Sequence, residues 1–457
     1  MAKKNEQEFV QHITPRSVDF SQWYTDVILQ TGLCDYAPVR GCMIIKPYGY
    51  AIWERIQAEM DKRFKATGHE NCYMPMLIPE SLLLKEAEHV EGFAPEVAWV
   101  TQGGTEQLQE RLAVRPTSET IFCTMYAKWV QSWRDLPMKY NQWCSVMRWE
   151  KTTRPFLRTS EFLWQEGHTI HATAEEAEQE TMQMLDVYRE VAEDVLALPV
   201  YCGRKSEKEK FAGAQATYSM EAMMHDGKAL QAGTSHFFGT NFAEAYGIQF
   251  LSKEGKLEYA QETSWGVSTR LIGAIIMTHG DDRGLRLPPQ VAPIQVVVLP
   301  IAAHKPGVLE GAKAIADRLT AAGVRVKFDD RDTVSPGWKF NEWEMKGVPL
   351  RFEVGPRDIE NGVAAVMRRD TLEKSNIALD SLAENVKALL ETIQKDMLES
   401  SRKRRDAKIV HADSLDGILK GVEGQNFVKA GWCGCRECED KVKETAAATA
   451  RVMCDEE

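Results

Sequence analysis

Three prolines fall within Leu287-Pro288-Pro289-Gln290-Val291-Ala292-Pro293, and they divide this chain more sharply than any other feature. Proline fixes φ, cannot donate a main-chain hydrogen bond and keeps the preceding residue out of the helical region, so the segment runs extended. The hydrophobic period changes across it. Before it, helical stretches such as Ile52–Lys65 mix with alternating strands, and Ala98–Thr101 with the residues from Gln107 reads as a hairpin about Gly103-Gly104. Strands of this kind joined by short loops predict an antiparallel sheet carrying helices, an α+β arrangement. Thr173-Ala174-Glu175-Glu176 has the form of a capping box, and the helix it opens is expected to run until Pro199. Beyond the prolines, strand and helix alternate: Ile294–Leu299, Pro306–Ala322, Val324–Phe328, Pro336–Lys346, Leu350–Val354. That order predicts an α/β domain with a parallel or mixed sheet. Leu382, Val386, Leu389, Leu390, Ile393 and Met397 mark one face of a long helix. The expected division is 1–290, 291–400 and a small third domain, 401–457; at roughly 150 residues per domain, 457 residues suit about three.

Chemistry concentrates at three arginines: Arg148 in Met147-Arg148-Trp149-Glu150, Arg158 in Phe156-Leu157-Arg158-Thr159, and Arg270 in Trp265-Gly266-Val267-Ser268-Thr269-Arg270. Arginine stays ionised, offers a rigid fork of donors to phosphate or carboxylate, and stacks on aromatic faces. Around the first two lie Trp149, Glu150, Glu161, Phe162, Trp164, Glu166 and His168. That mixture suits a flat base, a phosphate chain and a small cationic substrate; a surface hairpin with ordinary ion pairs would use the same residue types. No run of about 18 apolar residues occurs, so no membrane partner is expected, and the first residues lack an apolar signal core. The ten cysteines, mostly single in apolar contexts, suit a reduced, cytoplasmic protein. A net charge of −11 argues against general binding to phosphate backbones, leaving a nucleic-acid partner to local basic patches such as Arg402-Lys403-Arg404-Arg405 with Lys408. Neither the G-x-x-x-x-G-K-[ST] phosphate loop nor a G-x-G-x-x-G fingerprint is found.

The Arg148–Phe162 segment resembles motif 2 of the class II aminoacyl-tRNA synthetases, and the Arg270 segment resembles motif 3. Arg115-Pro116-Thr117-Ser118-Glu119-Thr120, Phe162-Leu163-Trp164-Gln165-Glu166-Gly167-His168, Glu209-Lys210-Phe211-Ala212-Gly213, Gln231-Ala232-Gly233-Thr234-Ser235-His236 and His279-Gly280-Asp281-Asp282 follow in the order of the prolyl-tRNA synthetases of the archaeal/eukaryotic type. The resemblance spans essentially the whole chain. It implies a class II catalytic domain (1–290) with an antiparallel sheet around a central helix, Thr269–His279. An α/β anticodon-binding domain (291–400) and a zinc-binding-like C-terminal domain (401–457) would follow. The implied activity is that of a proline–tRNA ligase: L-proline and ATP give prolyl-adenylate and pyrophosphate, and proline then passes to the 3′ end of tRNA(Pro). ATP would act with Mg2+, and the enzyme would be a homodimer through the Ile52–Lys65 helix and the strand near Tyr73–Pro79.

The resemblance also implies roles. Arg148 bridges the substrate carboxylate and the α-phosphate, Arg158 takes the γ-phosphate, Phe162 and Arg270 sandwich the adenine, and Glu150 reads its amino group. Gln231, Thr234, Ser268 and Thr269 fall near ATP. Trp164 and Phe211 wall the proline ring, with Thr117, Glu119, Glu166, His168 and His236 supplying polar contacts. Cys433 and Cys438, with Cys435 between them too near to match the family spacing, resemble half of a zinc module. The second cysteine pair is missing before Glu457, and Cys454 stands alone. Arg331, Arg351, Glu353, Arg357 and Asp358 are the candidates for reading the anticodon. The interval between His168 and Gln231 is too short for the large editing insertion of bacterial-type prolyl enzymes. Two alternatives stay open: a catalytically silent RNA-binding relative, and a class II ligase for another small amino acid.

Overall fold

The structure, a computed structural model, describes residues 13–89 and 96–454, so the N-terminal stretch read for a signal core lies outside them. Its largest element is a seven-stranded sheet. In order across the sheet, the strands are Glu70–Asn71, Met138–Met147, Glu161–His171, Gln261–Ser268, Ala229–Gly239, Ala216–Met223 and Val200–Arg204. Every neighbouring pair is antiparallel except the short edge strand Glu70–Asn71, which runs parallel to Met138–Met147.

Helix Arg270–His279 lies against this sheet. Every residue from Leu271 to His279 is buried, which matches its nearly all-apolar sequence. Gly273 permits the close approach, since a Cβ there would lie 2.5 Å from the Leu157 side chain. The helix Ala174–Glu190 covers the same core with Met184, Leu185, Val187 and Tyr188, which cluster with Trp265, Val267 and Ile272. Burying aliphatic and aromatic side chains of this size contributes about 1.5–3 kcal/mol each. Its cap is half of the expected box. Thr173 Oγ1 accepts from the Glu176 N–H at 3.2 Å, but the Glu176 carboxylate accepts from Ala172 N–H, one residue earlier than a capping box requires. A π turn, Val191–Val195, ends the helix before Pro199.

Helix Pro47–Ala66 begins earlier than the expected Ile52, because Pro47 is preorganised for a first helical position. The expected hairpin is present as Trp99–Gly103 and Glu106–Val114, joined to Leu77–Pro79 in a three-stranded sheet.

Past the prolines lies a five-stranded sheet in the order Val326–Phe328, Val296–Pro300, Leu350–Val354, Val363–Arg368, Lys374–Ala378. The first three strands are parallel and the last two antiparallel, so the sheet is mixed. The long helix Leu382–Asp406 seals it with Leu382, Val386, Leu390, Ile393 and Met397. The basic run on that helix is not an open patch. Arg402 pairs with Glu193 at 2.8 Å, Arg404 donates to Thr278 O at 2.9 Å, and Arg405 lies 4.4 Å over the Tyr201 ring. These arginines fasten the helix to the first sheet. A parallel pair, Ile409–Ala412 with Phe427–Ala430, and the helix Arg436–Ala446 follow.

Candidate active site

One cavity of about 790 Å³ opens over the seven-stranded sheet. Its lining includes Thr117, Glu119, Arg148, Glu150, Arg158, Trp164, Glu166, Phe211, Gln231, Thr234 and His236, residues drawn from four separate sequence blocks. Strand periodicity explains much of this. Trp164 and Glu166 alternate on Glu161–His171 and face the cavity, whereas Gln165 between them points into the core and donates to Tyr188 Oη at 2.7 Å. Gly167 is required because the Trp265 indole crosses it; a Cβ there would lie 2.2 Å from the ring. Gln231 and Thr234 are three residues apart, which on a regular strand would place them on opposite faces. Met220 pairs with Gly233 and Glu221 with Gln231, so Ala232 is the extra residue of a bulge. The bulge restores the parity and lets both side chains line one cavity.

At the acidic end, Glu166 is hydrogen-bonded through both oxygens. Glu166 Oε2 accepts from Ser118 N–H at 2.9 Å and Thr117 Oγ1 at 3.2 Å, and meets His168 Nε2 at 2.9 Å. Its Oε1 accepts from Gln142 Nε2 at 2.9 Å. Burial alone would push this carboxyl up, but His168 and Ser118 outweigh it and hold it down at about 2. His168 stands behind the acids, 3.7 Å from Glu119 and stacked on Phe122 at 4.4 Å. His236 is pushed down to about 3 by burial and then by His168, and its Nδ1 lies 2.9 Å from Thr217 Oγ1. It is therefore neutral at physiological pH.

Arg148 sits between this end and the more open one. Its Nε donates to Pro116 O at 3.1 Å, and its guanidinium lies over Trp164 and Phe162, 5.3 and 5.5 Å from the ring centres. Burial lowers its pKa, opposed by Glu166, Glu150 and Glu119. Arg158 is largely exposed, with Glu150 3.7 Å away.

The structure does not bring every candidate to the large cavity. His168 lies behind it. Phe162, Ser268 and Thr269 are not among its lining residues, and Arg270 lines a neighbouring cavity with Arg158 and Gln231. Thr217, Lys205 and Glu209 line the large cavity and were not read from the sequence. Of these, Glu209 opens one of the family blocks, whereas Thr217 and Lys205 lie outside all of them.

Among the anticodon candidates, Arg351 is buried and tied to Glu353 at 2.9 Å and Glu344 at 3.5 Å. Arg331 is held by Asp329 and Glu342, and Asp358 accepts from Gly355 N–H at 2.8 Å as a cap. Arg357 is exposed. In the tail, Cys435 lies with Cys433 and Cys438, their sulfurs all within 4.8 Å of one another. Cys454 lies elsewhere, beside Cys202 O at 4.0 Å.

Residues 99–279 match the tRNA synthetase class II core domain (G, H, P, S and T), and 295–389 match the anticodon binding domain. The proline–tRNA ligase of Alkaliphilus oremlandii is 64% identical over 451 residues, covering 98% of this chain and 94% of that protein. Proline–tRNA ligase 2 of Clostridioides difficile is 62% identical over the same shares of both chains. Among solved structures, Cryptosporidium parvum prolyl-tRNA synthetase complexed with halofuginone and AMPPNP superposes with a TM-score of 0.91 at 45% identity, covering 95% of this chain and 90% of that one. The same enzyme complexed with L-proline and AMP gives 0.90 at 42%, covering 95% and 88%. With identity of this order running through both the sheet that carries the arginines and the domain after the prolines, the chain belongs to the prolyl-tRNA synthetase (proline–tRNA ligase) family of class II aminoacyl-tRNA synthetases.

Proposed function

We propose that proline and ATP meet in the large cavity, where the chain joins them as prolyl-adenylate before passing proline to the 3′ end of tRNA(Pro). One observation carries this assignment: a single cavity holds an acid-and-aromatic end beside a cationic end, with Arg148 at their junction. Attack of a carboxylate on the α-phosphate brings two anions together. Little covalent work by the protein is needed, and positioning with fixed positive charge supplies the catalysis. Arg148 neutralises both anions and aligns them. Arg158 holds the γ-phosphate of ATP, whose substrate form is the magnesium complex. Arg270 and Phe162 take the two faces of the adenine, Glu150 meets its amino group, and Gln231, Thr234, Ser268 and Thr269 line the same side.

At the other end, Trp164 and Phe211 enclose the ring, while Glu119 and Thr117 meet the secondary ammonium. Glu166, with both oxygens already engaged, and His168 behind it act as positioning residues. Neutral His236 adds a polar contact without a second positive charge. The domain limits 1–290, 291–400 and 401–457 fit this division of labour, the middle one binding tRNA. Cys433, Cys435 and Cys438 suit a thiolate-bound zinc and would supply three of its ligands, the ion stiffening the tail. A homodimer is supported by the exposed Tyr36, Val39, Ile44 and Tyr73. A cytoplasmic setting is supported by ten free cysteines. No helix among the described residues is long and apolar enough to cross a membrane.

The test is ATP–pyrophosphate exchange with each of the twenty amino acids, followed by charging of tRNA(Pro). Proline should support exchange best. A folded preparation with no proline-dependent exchange would refute the assignment.

A further inference from the structure

Beside the large cavity lies a smaller one, of about 440 Å³. Arg158 and Arg270 line it from the catalytic sheet, and Arg451 lines it from the far end of the chain. Arg451 is carried there by an added edge. Arg204 N–H donates to Met453 O at 3.2 Å and Met453 N–H donates to Arg204 O at 2.7 Å, so the tail extends the edge strand Val200–Arg204. Gly203 makes room for it, since a Cβ there would lie 2.4 Å from Met453 O.

The charge balance around this cavity is incomplete. Arg451 donates through Nε and Nη2 to Glu221 Oε2, at 3.2 and 2.9 Å. The same buried carboxylate already accepts from Lys205 Nζ at 2.9 Å through its other oxygen. One acid thus serves two cations. Among the described residues, the Arg270 guanidinium donates to carbonyls, Leu157 O at 3.1 Å and Gln231 O at 3.3 Å. Burial, then Arg158 and Arg148, lower its pKa; Glu221 opposes this and Arg451 adds to it. Guanidinium forks converging on one space that holds fewer acids than cations are arranged for a polyanion.

We propose that Arg451 is a ligand of the β- and γ-phosphates of ATP, so that the C-terminal segment completes the phosphate end of the catalytic site. The guanidinium keeps one edge on Glu221, which fixes its plane; Nη1, with only a long 3.5 Å contact to Thr449 Oγ1, is the group that would turn to the phosphates. This rests on reading Arg158 and Arg270 as ATP ligands. The competing account is that Arg451 only pins the tail to the sheet.

Nucleotides of different phosphate length separate the two accounts. Calorimetry on the full chain should show that Arg451→Ala weakens ATP binding by about tenfold, a size suited to one charge-assisted contact. AMP binding should stay within about twofold, and Arg451→Lys should recover part of the loss. In exchange assays the KM for pyrophosphate should rise, with the KM for proline little changed. Equal weakening of ATP and AMP, or a parallel rise in the proline KM, would make Arg451 a tail anchor and overturn the proposal. Arg158→Ala serves as the reference. If it weakens ATP while Arg451→Ala does not, Arg451 alone is misassigned. If Arg158→Ala leaves ATP binding unchanged, the reading of the pocket itself fails.

Discussion

The two ends of the catalytic cavity are built on opposite plans. At the proline end each buried charge is already answered by the protein: Glu166 is ringed by Ser118, Thr117, Gln142 and His168, and His236 is kept neutral against Thr217. At the ATP end the cations outnumber their acids among the described residues; Arg270 donates to carbonyls, and Glu221 is shared between Lys205 and Arg451. The first plan yields a mould in which Glu166 and His236 are held in place before substrate arrives. Its discrimination then comes from shape and from groups it leaves unpaired in the wrong ligand. The second leaves repulsion among like charges that only an incoming anion relieves. A small amino acid with few contacts needs the preformed mould, whereas triphosphate brings enough charge to organise its own site.

The strongest test of this contrast is its junction. Arg148→Ala removes the cation that both substrates share, so proline-dependent exchange should fall by about a hundredfold or more, the loss of roughly 3 kcal/mol of transition-state stabilisation. The melting temperature should change little, because the side chain has one protein hydrogen bond, to Pro116 O. Arg148→Lys should fail as well, since an ammonium offers no planar fork. Exchange near the wild-type rate in a folded Arg148→Ala protein would remove Arg148 from the chemistry.

A smaller effect, of a different kind, is expected at the closed end. Glu166→Gln keeps the shape but removes the charge that His168 and the Ser118 and Thr117 donors answer, leaving one amide hydrogen facing a donor. Breaking a buried, paired charge costs about 3 kcal/mol of stability, so thermal unfolding should drop by several degrees while the KM for proline rises and that for ATP stays near wild type. The charge effect also has a sign in pH. The Glu166 carboxyl lies lower in the fold, at about 2, than in the unfolded chain, near 4.5. Its stabilisation is therefore complete above about 4.5 and is lost as the pH falls toward 2. A Glu166→Gln protein that melts like wild type at pH 7 would mean that the proline end is not held together by this network.

The same contrast explains what the sequence disclosed. The sheet, the central helix and the mixed sheet after the prolines were legible because period 2, period 3.6 and proline placement are local signals. Arg148, Glu166 and Trp164 were legible because charges beside aromatics are unusual within a strand, and the family blocks placed them. His168 was assigned to the proline site by the family resemblance; Phe122, from a helix that no pattern links to it, stacks on its ring. The bulge at Ala232 has no marker in Gln231-Ala232-Gly233-Thr234. Arg402, Arg404 and Arg405 read as a basic patch because their partners Glu193, Thr278 and Tyr201 lie far away in sequence. Arg451 was invisible for the same reason: its meaning depends on a single bridge between Met453 and Arg204.

The smallest effect should come from a second buried acid near the closed end, which sharpens the comparison because it is solved the other way. Glu262 lies on strand Gln261–Ser268 with the Cys123 thiol 3.7 Å away, and Cys123 belongs to the helix that begins at Glu119. Burial pushes Glu262 up to about 8, only partly opposed by Cys123, where the ring of donors around Glu166 overcomes the same burial. Glu262 is thus protonated in the fold at pH 7 but ionised in the unfolded chain. Below about 4.5 both states hold the proton. Between about 4.5 and 8 the unfolded chain releases it first, so this group makes stability fall as pH rises across that window. Glu262→Gln replaces a neutral acid by a neutral amide of the same shape and removes that slope. Melting temperatures taken from pH 5 to pH 8 should converge for wild type and variant at the acid end, with the variant gaining on wild type toward pH 8. A constant offset between the two curves would mean that Glu262 does not change its proton affinity on folding, and the pairing of one ionised and one neutral buried acid around the proline end would have to be abandoned.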